Sequence, residues 1–551
     1  MTRRLAGLAA LAAVPVALLG VFFVLPVSGM LARGLWVDGG FDPGGVLEVL
    51  ARPRVHRVVW FTLWSAAAGT ALSLLLGLPA AYALSRLDFP GRRALRAALI
   101  VPFVLPTVVV GIGFRQLLGE GGALGFLGLD GSPVAIVAGL VFFNVAVVVR
   151  TVGSSWESLD PRPAQAAAAL GATPLQVLRT VTLPALRPAV VSAASVVFLF
   201  CATAFGIVLV LGGLRYATVE TEIYLLTTNL LDLRGAATLS LVQLVVVVGL
   251  LLTARRLRTP GQPAAGTDSV VALERTRPRR PARSDLPALA VTALLLGLVA
   301  APLATLVSGS LRTQGGWSTA NYLALASPDV APGLVVPVRS ALANSLRTAV
   351  DATWMSLSLG LLVAVVATRR SRSRAERSAR AFLDGVFMLP LGVSAVTLGF
   401  GFLITLDRPP LDLRDSPLLV PIAQALVALP LVVRTLVPVL AGIDDRQRQA
   451  AATLGATPWR TLATVDLPVV WRPLLASAGF AFAVSLGEFG ATSFLSREEH
   501  PTLPVVIFRL LGHPGAANFG VALAASVVLA AVCALALLAV ERLRVPTLGA
   551  W

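Results

Sequence analysis

Long apolar runs separated by short polar segments dominate the hydropathy pattern of this chain. About twelve runs recur, six on each side of a polar stretch near the middle, and each approaches the roughly 20 residues that a membrane-crossing helix needs. They fall near residues 5–30, 58–84, 97–118, 132–152, 188–211, 237–254, 286–308, 344–368, 381–405, 417–440, 473–496 and 518–541. They lack the alternation of membrane β-strands. The pattern predicts an all-α integral membrane protein with about twelve transmembrane helices.

The two groups of apolar runs also form an internal repeat. Matching motifs include LLLG at 74–77 with LSLG at 357–360, and VVRT at 148–151 with VVRT at 432–435. Six spans are an even number, so both halves keep the same orientation and form parallel repeats. We predict a first transmembrane half at residues 1–254, a basic, flexible cytoplasmic linker at 255–285 and a second transmembrane half at 286–551.

Composition and charge agree with a membrane protein. Hydrophobic residues make up 56% of the chain and charged residues only 13%, against roughly 25% in a soluble protein. The net charge is +17, and all of the positive charge is arginine, because the chain contains no lysine. The arginines cluster between apolar runs, as the positive-inside rule describes, rather than in a stripe suited to nucleic acid. Both termini, the linker and the Arg-rich loops are therefore expected in the cytoplasm.

The other loops are less basic and are expected to face outward. Their acidic residues in the first half are Glu120, Asp130, Glu220, Glu222 and Asp232. This mild acidity would suit a cation, although so few carboxylates decide little.

Two Ala-rich polar stretches stand out, 284 positions apart, and we call them loop 1 (residues 165–184) and loop 2 (residues 449–468). Loop 1 contains Gln165, Ala166, Ala167, Gly171, Thr173, Pro174, Leu183 and Pro184. Loop 2 contains Gln449, Ala450, Ala451, Gly455, Thr457, Pro458, Leu467 and Pro468. In each, the glycine is expected to end a helix in the left-handed conformation, and Thr-Pro to begin a second short helix. Leu-Pro is expected to stop that second helix.

Both loops resemble the EAA signature of permease subunits of binding-protein-dependent ABC importers. Gly171, Val181 and Leu183-Pro184 fit its spacing, as do the matching residues of loop 2. The resemblance implies the type I permease fold in a bacterial inner membrane and a coupling role for both loops. It also implies two copies of an ATP-binding subunit and an extracytoplasmic substrate-binding protein as partners. Gln165 and Gln449 stand where the family has glutamate, which replaces an ionic contact by a neutral hydrogen bond.

The absence of lysine fits this division of labour. The phosphate-binding loop of an ATPase needs a lysine, so ATP is expected to be used by partner subunits, with no cofactor bound by this chain. The loops contain no cluster of residues with catalytic spacing, so an enzyme is not predicted. Glu498, Glu499, His500 and His513 match no standard ligand set, and we predict no metal site.

The cargo is less sharply indicated than the class of transporter. Two permease halves in one chain are similar to the fused thiamine and ferric-iron permeases of this superfamily. The resemblance favours thiamine or a related cation, with ferric iron as the alternative. The stretch 485–490 also resembles molybdate and sulfate permeases, so an anion stays open. A more distant alternative is a twelve-helix ion-coupled secondary transporter, which has no need for the paired loops.

Glu488 lies inside the predicted span 473–496, where an ionised side chain is costly. One interpretation is that Glu488, with Gly487 and Gly490, lines or gates the translocation path. The other is that Glu488 pairs with a buried polar group between the halves and only holds the halves together. The matching position in the first half is Ala204, so a site here is asymmetric.

Overall fold

The structure is a computed structural model of the full chain. It describes residues 12–37, 40–99, 101–213, 215–257, 278–327, 336–368, 393–407 and 411–542, with positions 378, 383 and 387. Within these residues, ten helices are long and apolar enough to cross a membrane. They are Ala12–Leu35, Pro53–Arg86, Pro133–Glu157, Pro174–Ala202, Leu233–Leu250, Arg283–Ser310, Val338–Thr368, Leu419–Ala441, Trp459–Leu486 and Ala516–Ala539. The all-α membrane fold class is confirmed.

The predicted span 97–118 is a bent pair of helices rather than one rod. Arg92–Val104 and Thr107–Leu118 meet at 107° and would raise the count of described spans to eleven if taken as one. Pro106 lies at the break in an extended conformation, with φ −56° and ψ 135°. Because proline has no N–H and its ring disfavours a helical residue before it, the helix cannot continue through this point.

Four predicted segments fall partly outside the described residues. Positions 5–11 of the predicted span 5–30 and position 100 of the predicted span 97–118 lie outside them. In the predicted span 381–405, the structure describes the helix Ala395–Thr405, and most of the positions before it lie outside the described residues. In the predicted linker 255–285, positions 258–277 likewise lie outside them.

The described end of the predicted linker makes specific contacts with the first half. Arg279 forms a parallel β-bridge with Leu87. Its guanidinium donates to the carboxylate of Asp285 at 2.7 and 2.8 Å, and the Tyr82 hydroxyl donates to the same carboxylate at 2.8 Å. Asp285 is buried, so these bonds supply the charge and donors that its carboxylate needs away from water. They fix the start of the helix Arg283–Ser310.

Shorter helices and two β-hairpins connect the spans. The helices are Gly44–Ala51, Gly125–Leu127, Gly206–Gly212, Val219–Thr228, Ala320–Ala324, Thr492–Leu495 and Leu503–Gly512. The strands pair antiparallel as Trp36–Val37 with Gly40–Phe41, and Arg312–Thr313 with Gly316–Trp317. Each hairpin directly follows the first long helix of one half, as the internal repeat leads one to expect.

The chain forms two compact units. Unit 1 takes its described residues from 1–55, 220–245 and 310–546, and unit 2 takes its described residues from 56–219 and 246–309. Each unit therefore draws on both sides of the predicted linker. The half boundaries at 254 and 286 stay a prediction about the sequence repeat.

The same close helix contact occurs once in each unit. In unit 2 a Cβ at Gly77 would lie 2.8 Å from Cβ of Val148, and in unit 1 a Cβ at Gly360 would lie 2.5 Å from Cγ1 of Val432. Both distances are too short for a real side chain, so each position requires glycine. Small residues let membrane helices approach closely where packing, rather than the hydrophobic effect, holds them together. The repeated motifs of the sequence thus mark a repeated contact.

Candidate functional site

Loop 1 is a helix–turn–helix whose corner depends on one glycine. The helix Arg162–Ala169 ends at Leu170, and Gly171 has φ +87°. The N–H groups of Gly171 and Ala172 turn back to the carbonyls of Ala168 and Ala167, at 3.0 and 3.1 Å. This left-handed C-terminal motif satisfies carbonyls that the helix end would leave unpaired. The predicted glycine corner is confirmed.

The second helix of loop 1 starts at the predicted Thr-Pro. Thr173 caps the helix Pro174–Val177: its Oγ1 accepts from the N–H of Gln176 at 3.4 Å. In return, Oε1 of Gln176 accepts from the N–H of Thr173 at 2.7 Å. This reciprocal capping box pairs two of the donors that a helix start exposes.

The prediction that Leu183-Pro184 stops this helix is wrong. The chain continues through a π-helical turn, Leu178–Thr182, into the helix Leu183–Ala202. In the π turn the N–H of Leu183 donates to the carbonyl of Leu178, five residues back. Pro184 lies in the first turn of the following helix, where a missing N–H costs little. The loop is therefore continuous with the span that follows it.

Loop 2 repeats this conformation. The helix Asp445–Thr453 ends at Leu454, and Gly455 has φ +82°. The N–H groups of Gly455 and Ala456 both make 3.0 Å bonds to carbonyls in the preceding turn. Oγ1 of Thr457 accepts from the N–H of Arg460 at 3.3 Å at the start of the helix Pro458–Thr461. A π turn, Leu462–Asp466, then leads into the helix Leu467–Leu486, so Pro468 does not stop the chain either.

Both loops expose large apolar side chains at matching positions. Leu170 is 90% exposed and Leu454 is 87% exposed; each lies just before the glycine corner. Leu175 and Trp459, at the start of the second short helix, are also exposed. Gln165 and Gln449 lie on the exposed faces of the first helices. Leucine at a polar, exposed corner is unfavourable in water, and its recurrence in both loops is typical of a docking surface.

Glu488 is buried in unit 1 and acts as a local cap. The helix Leu467–Leu486 stops at Gly487, short of the predicted end at 496. The Glu488 carboxylate then accepts the backbone N–H groups of Ala491 and Thr492, at 2.7 and 3.0 Å. These bonds start the helix Thr492–Leu495. Glu488 therefore has a structural role as a helix cap. The interpretation that it lines the translocation path stays a prediction.

Gly490 allows close packing beside this cap. A Cβ there would lie 2.9 Å from Cβ of Ala395. In unit 2 the matching residue, Ala204, has no carboxylate, and the helix Pro174–Ala202 ends just before it. The predicted span 188–211 therefore also ends early. The two helices, Leu183–Ala202 and Leu467–Leu486, end at matching positions of the repeat, so the asymmetry inferred from the sequence lies in the side chain at 204 and 488 rather than in the helix break.

We expect Glu488→Gln to lower the free energy of unfolding by about 1–2 kcal/mol. The amide has one acceptor oxygen, whereas the carboxylate uses both of its oxygens, so one buried N–H loses its partner. Thermal unfolding of the detergent-solubilised protein measures the change. Glu499→Gln, at an exposed position, is the matched control and should leave unfolding unchanged. Equal stability of the two variants would contradict the capping role.

Three acidic residues predicted on the outward surface have partners that the sequence did not indicate. Glu220 and Glu222 are fully buried, in the helix Val219–Thr228 of unit 1. Arg54 makes a forked contact with Glu222, through Nε at 2.5 Å and Nη2 at 2.9 Å. Asp232 pairs with Arg52 at 2.6 Å. Burial raises the pKa of Asp232, whereas the hydrogen bonds from Arg52 and from a backbone N–H lower it. The lowering is the larger effect, so the pKa of Asp232 lies below its usual value.

Glu220 lies among neutral partners instead. Its carboxylate accepts from the Ser394 hydroxyl at 2.9 Å and from the Gln243 amide. Neither glutamate of this helix is available on an outward surface, so the expected mild acidity of that face loses two of its carboxylates. No local signal in the sequence marks these residues as buried, because their partners lie far away in the chain.

The comparisons with known proteins agree with this architecture. Residues 69–256 and 356–544 both match the family described as binding-protein-dependent transport system inner membrane component. The thiamine transport system permease protein of Escherichia coli strain K12 is 30% identical over 83% of this chain and 83% of its own. That of Brucella abortus strain 2308 is 29% identical over 90% of this chain and 89% of its own.

Among solved structures, a chain of a bacterial ABC transporter involved in the import of the acidic polysaccharide alginate is 16% identical. It covers 47% of this chain and 98% of its own, with a TM-score of 0.41. The two family matches together span more than half of the sequence, one on each side of the linker. This chain therefore belongs to the family of binding-protein-dependent transport system inner membrane components, and it carries the family's domain twice.

Proposed function

We propose that this chain is the permease subunit of an ABC importer that moves thiamine into the cytoplasm. The relatives named as thiamine transport permeases align with both halves and the linker region, over more than four-fifths of the chain. A single polypeptide then supplies both halves of the membrane path. The chain moves its cargo by changing conformation and performs no covalent chemistry.

One observation carries the coupling part of this proposal. Loops 1 and 2 share a glycine corner, a Thr cap and an exposed leucine at matching positions. Each loop docks one ATP-binding subunit, and the exposed leucines gain free energy by burial against it. Gln165 and Gln449 add neutral hydrogen bonds, which are roughly half as strong as the charge-assisted bonds of a glutamate.

The arginine pattern supports a specific orientation. The Arg-rich loops, both termini and loops 1 and 2 face the cytoplasm, where the ATP-binding subunits are located. The substrate-binding protein delivers its cargo from the opposite side. The protein is thus a multi-pass protein of a bacterial inner membrane with its motor surface inside the cell.

Two other substrates define the alternatives. Ferric iron fits the same fused architecture, and a molybdate- or sulfate-type anion fits the stretch 485–490. An ion-coupled secondary transporter is less well supported, because it leaves the paired loops without a purpose.

Reconstitution tests the proposal directly. Proteoliposomes that contain the chain with its ATP-binding subunits and binding protein should take up radiolabelled thiamine only when ATP is present. Uptake of Fe(III) or molybdate under the same conditions, without thiamine uptake, would replace the substrate. Thiamine uptake driven by an ion gradient without ATP would overturn the importer class.

A further inference from the structure

An arginine beside loop 2 joins the two ends of that loop. Arg448 is the residue before Gln449, on the helix Asp445–Thr453. Its Nε donates to Asp466 at 2.8 Å, its Nη1 to Asp445 at 3.0 Å, and its Nη2 to the carbonyl of Leu440 at 3.0 Å. The Asp466 side chain is only 1% exposed. We call this arrangement the Arg448 staple.

The staple ties the loop helix to the ends of the two spans on either side of it, which also pack against each other. Leu440 lies at the end of the helix Leu419–Ala441, before the loop. Asp466 is the last residue of the π turn that enters the helix Leu467–Leu486. A guanidinium has several donors in a fixed plane, so one side chain can hold these groups in a defined geometry. Any tilt of the loop helix against the two spans must break bonds to a buried carboxylate.

Loop 1 has the same backbone conformation at its corner but lacks the residues that form the staple. The residues before both glycines, Leu170 and Leu454, have identical angles, φ −81° and ψ 9°. At the positions of Arg448, Asp445 and Asp466, the first half has Ala164, Pro161 and Thr182. None of these three residues has an ionisable side chain, so the ion pairs of the staple have no counterpart at these positions of loop 1.

We propose that Arg448 is a positioning residue that makes loop 2 the stiff member of the pair, so that the two loops couple unequally to their ATP-binding subunits. This inference rests on the proposed function, since it assumes that both loops dock a motor. Movement of the partner on loop 2 passes directly to the helices on both sides of it. Movement on loop 1 is partly absorbed by the loop itself.

Amide hydrogen exchange on the full chain in detergent tests the stiffness without any partner. Local opening free energies set exchange rates, so the helix Asp445–Thr453 should exchange about tenfold more slowly than the helix Arg162–Ala169. Arg448→Met should remove that difference, and the matched Ala164→Met should change nothing. Equal exchange of the two helices in the unaltered protein would overturn the proposal.

The coupling itself is measured in proteoliposomes with the ATP-binding subunits and binding protein. Arg448→Met should lower the amount of radiolabelled thiamine transported per ATP hydrolysed by about fivefold. Without the staple, part of the movement of the ATP-binding subunit no longer reaches the membrane helices, so some ATP is hydrolysed without transport. Ala164→Met should keep the unaltered ratio. The double variant Arg448→Met with Asp466→Asn also removes the buried charge of Asp466 and should show the same loss. An unaltered ratio in the double variant would refute the inference.

If the unaltered protein hydrolyses ATP without moving thiamine, the proposed function fails. The exchange experiment needs no partner, so it still decides the stiffness of loop 2.

Discussion

Replacing Gly455 by proline is expected to abolish ATP-driven uptake while the membrane helices stay folded. Gly455 has φ +82°, and its N–H bonds to the carbonyl of Ala452. Proline locks φ near −65° and removes the N–H, so the corner cannot form; the cost is about 3 kcal/mol or more. That corresponds to a loss of native loop population of roughly a hundredfold. Gly171→Pro in loop 1 should act in the same way.

Two measurements separate loss of coupling from loss of folding. Uptake per ATP in proteoliposomes should fall to background, and circular dichroism and thermal unfolding in detergent should keep the unaltered helix content and transition. Gly455→Asn is the matched control, because asparagine tolerates the left-handed region and keeps its N–H. It should retain most of the uptake. Normal coupled transport by either proline variant would count against the assignment of these loops as motor contacts.

Removing Arg54 is expected to destabilise the protein far more than neutralising its partner. Glu222 is buried, with a side chain 2% exposed, whereas Arg54 is 47% exposed. Arg54→Met leaves a buried carboxylate without its cation, which costs about 3 kcal/mol. Glu222→Gln leaves an arginine that can turn to water, so its cost should be about 1 kcal/mol. Denaturant or thermal unfolding in detergent measures both values.

A neighbouring exposed pair gives the control for this prediction. Arg52 and Asp232 also pair within unit 1, but their side chains are 47% and 29% exposed. Exposed ion pairs contribute about 0–1 kcal/mol, so Arg52→Met should have only a small effect. If Arg52→Met and Arg54→Met destabilise the protein equally, burial of Glu222 is not the cause of the difference proposed above.

The parts of the fold that were predictable depend on local chemistry. Gly171 and Gly455 occupy left-handed corners because glycine alone lacks the Cβ that disfavours them, and the Thr-Pro after each corner begins a helix. Span positions follow from unbroken apolar length. These signals act over a few residues, so a single sequence displays them in full.

The parts that were missed depend on contacts between distant segments. The partners of Glu222 and Glu220 are Arg54 and Ser394, each well over a hundred positions away. The passage of the helix through Pro184 depends on a π turn, which has no strong composition signal. Asp466 reads as an ordinary polar residue until the structure places Arg448 against it. The hydropathy and residue spacing of a single sequence do not predict such pairings.

The composition of the two compact units bears on how the protein is made. Unit 2 includes residues 246–309 with 56–219, so it lacks part of its packing until the ribosome has passed the linker. Unit 1 contains the first helix, Ala12–Leu35, and also residues beyond 310. That helix therefore lacks most of its packing partners until synthesis is nearly complete. Insertion into the bilayer and completion of either unit are consequently separate events in time. A polypeptide released after the first repeat would have crossed the membrane several times and yet completed neither unit.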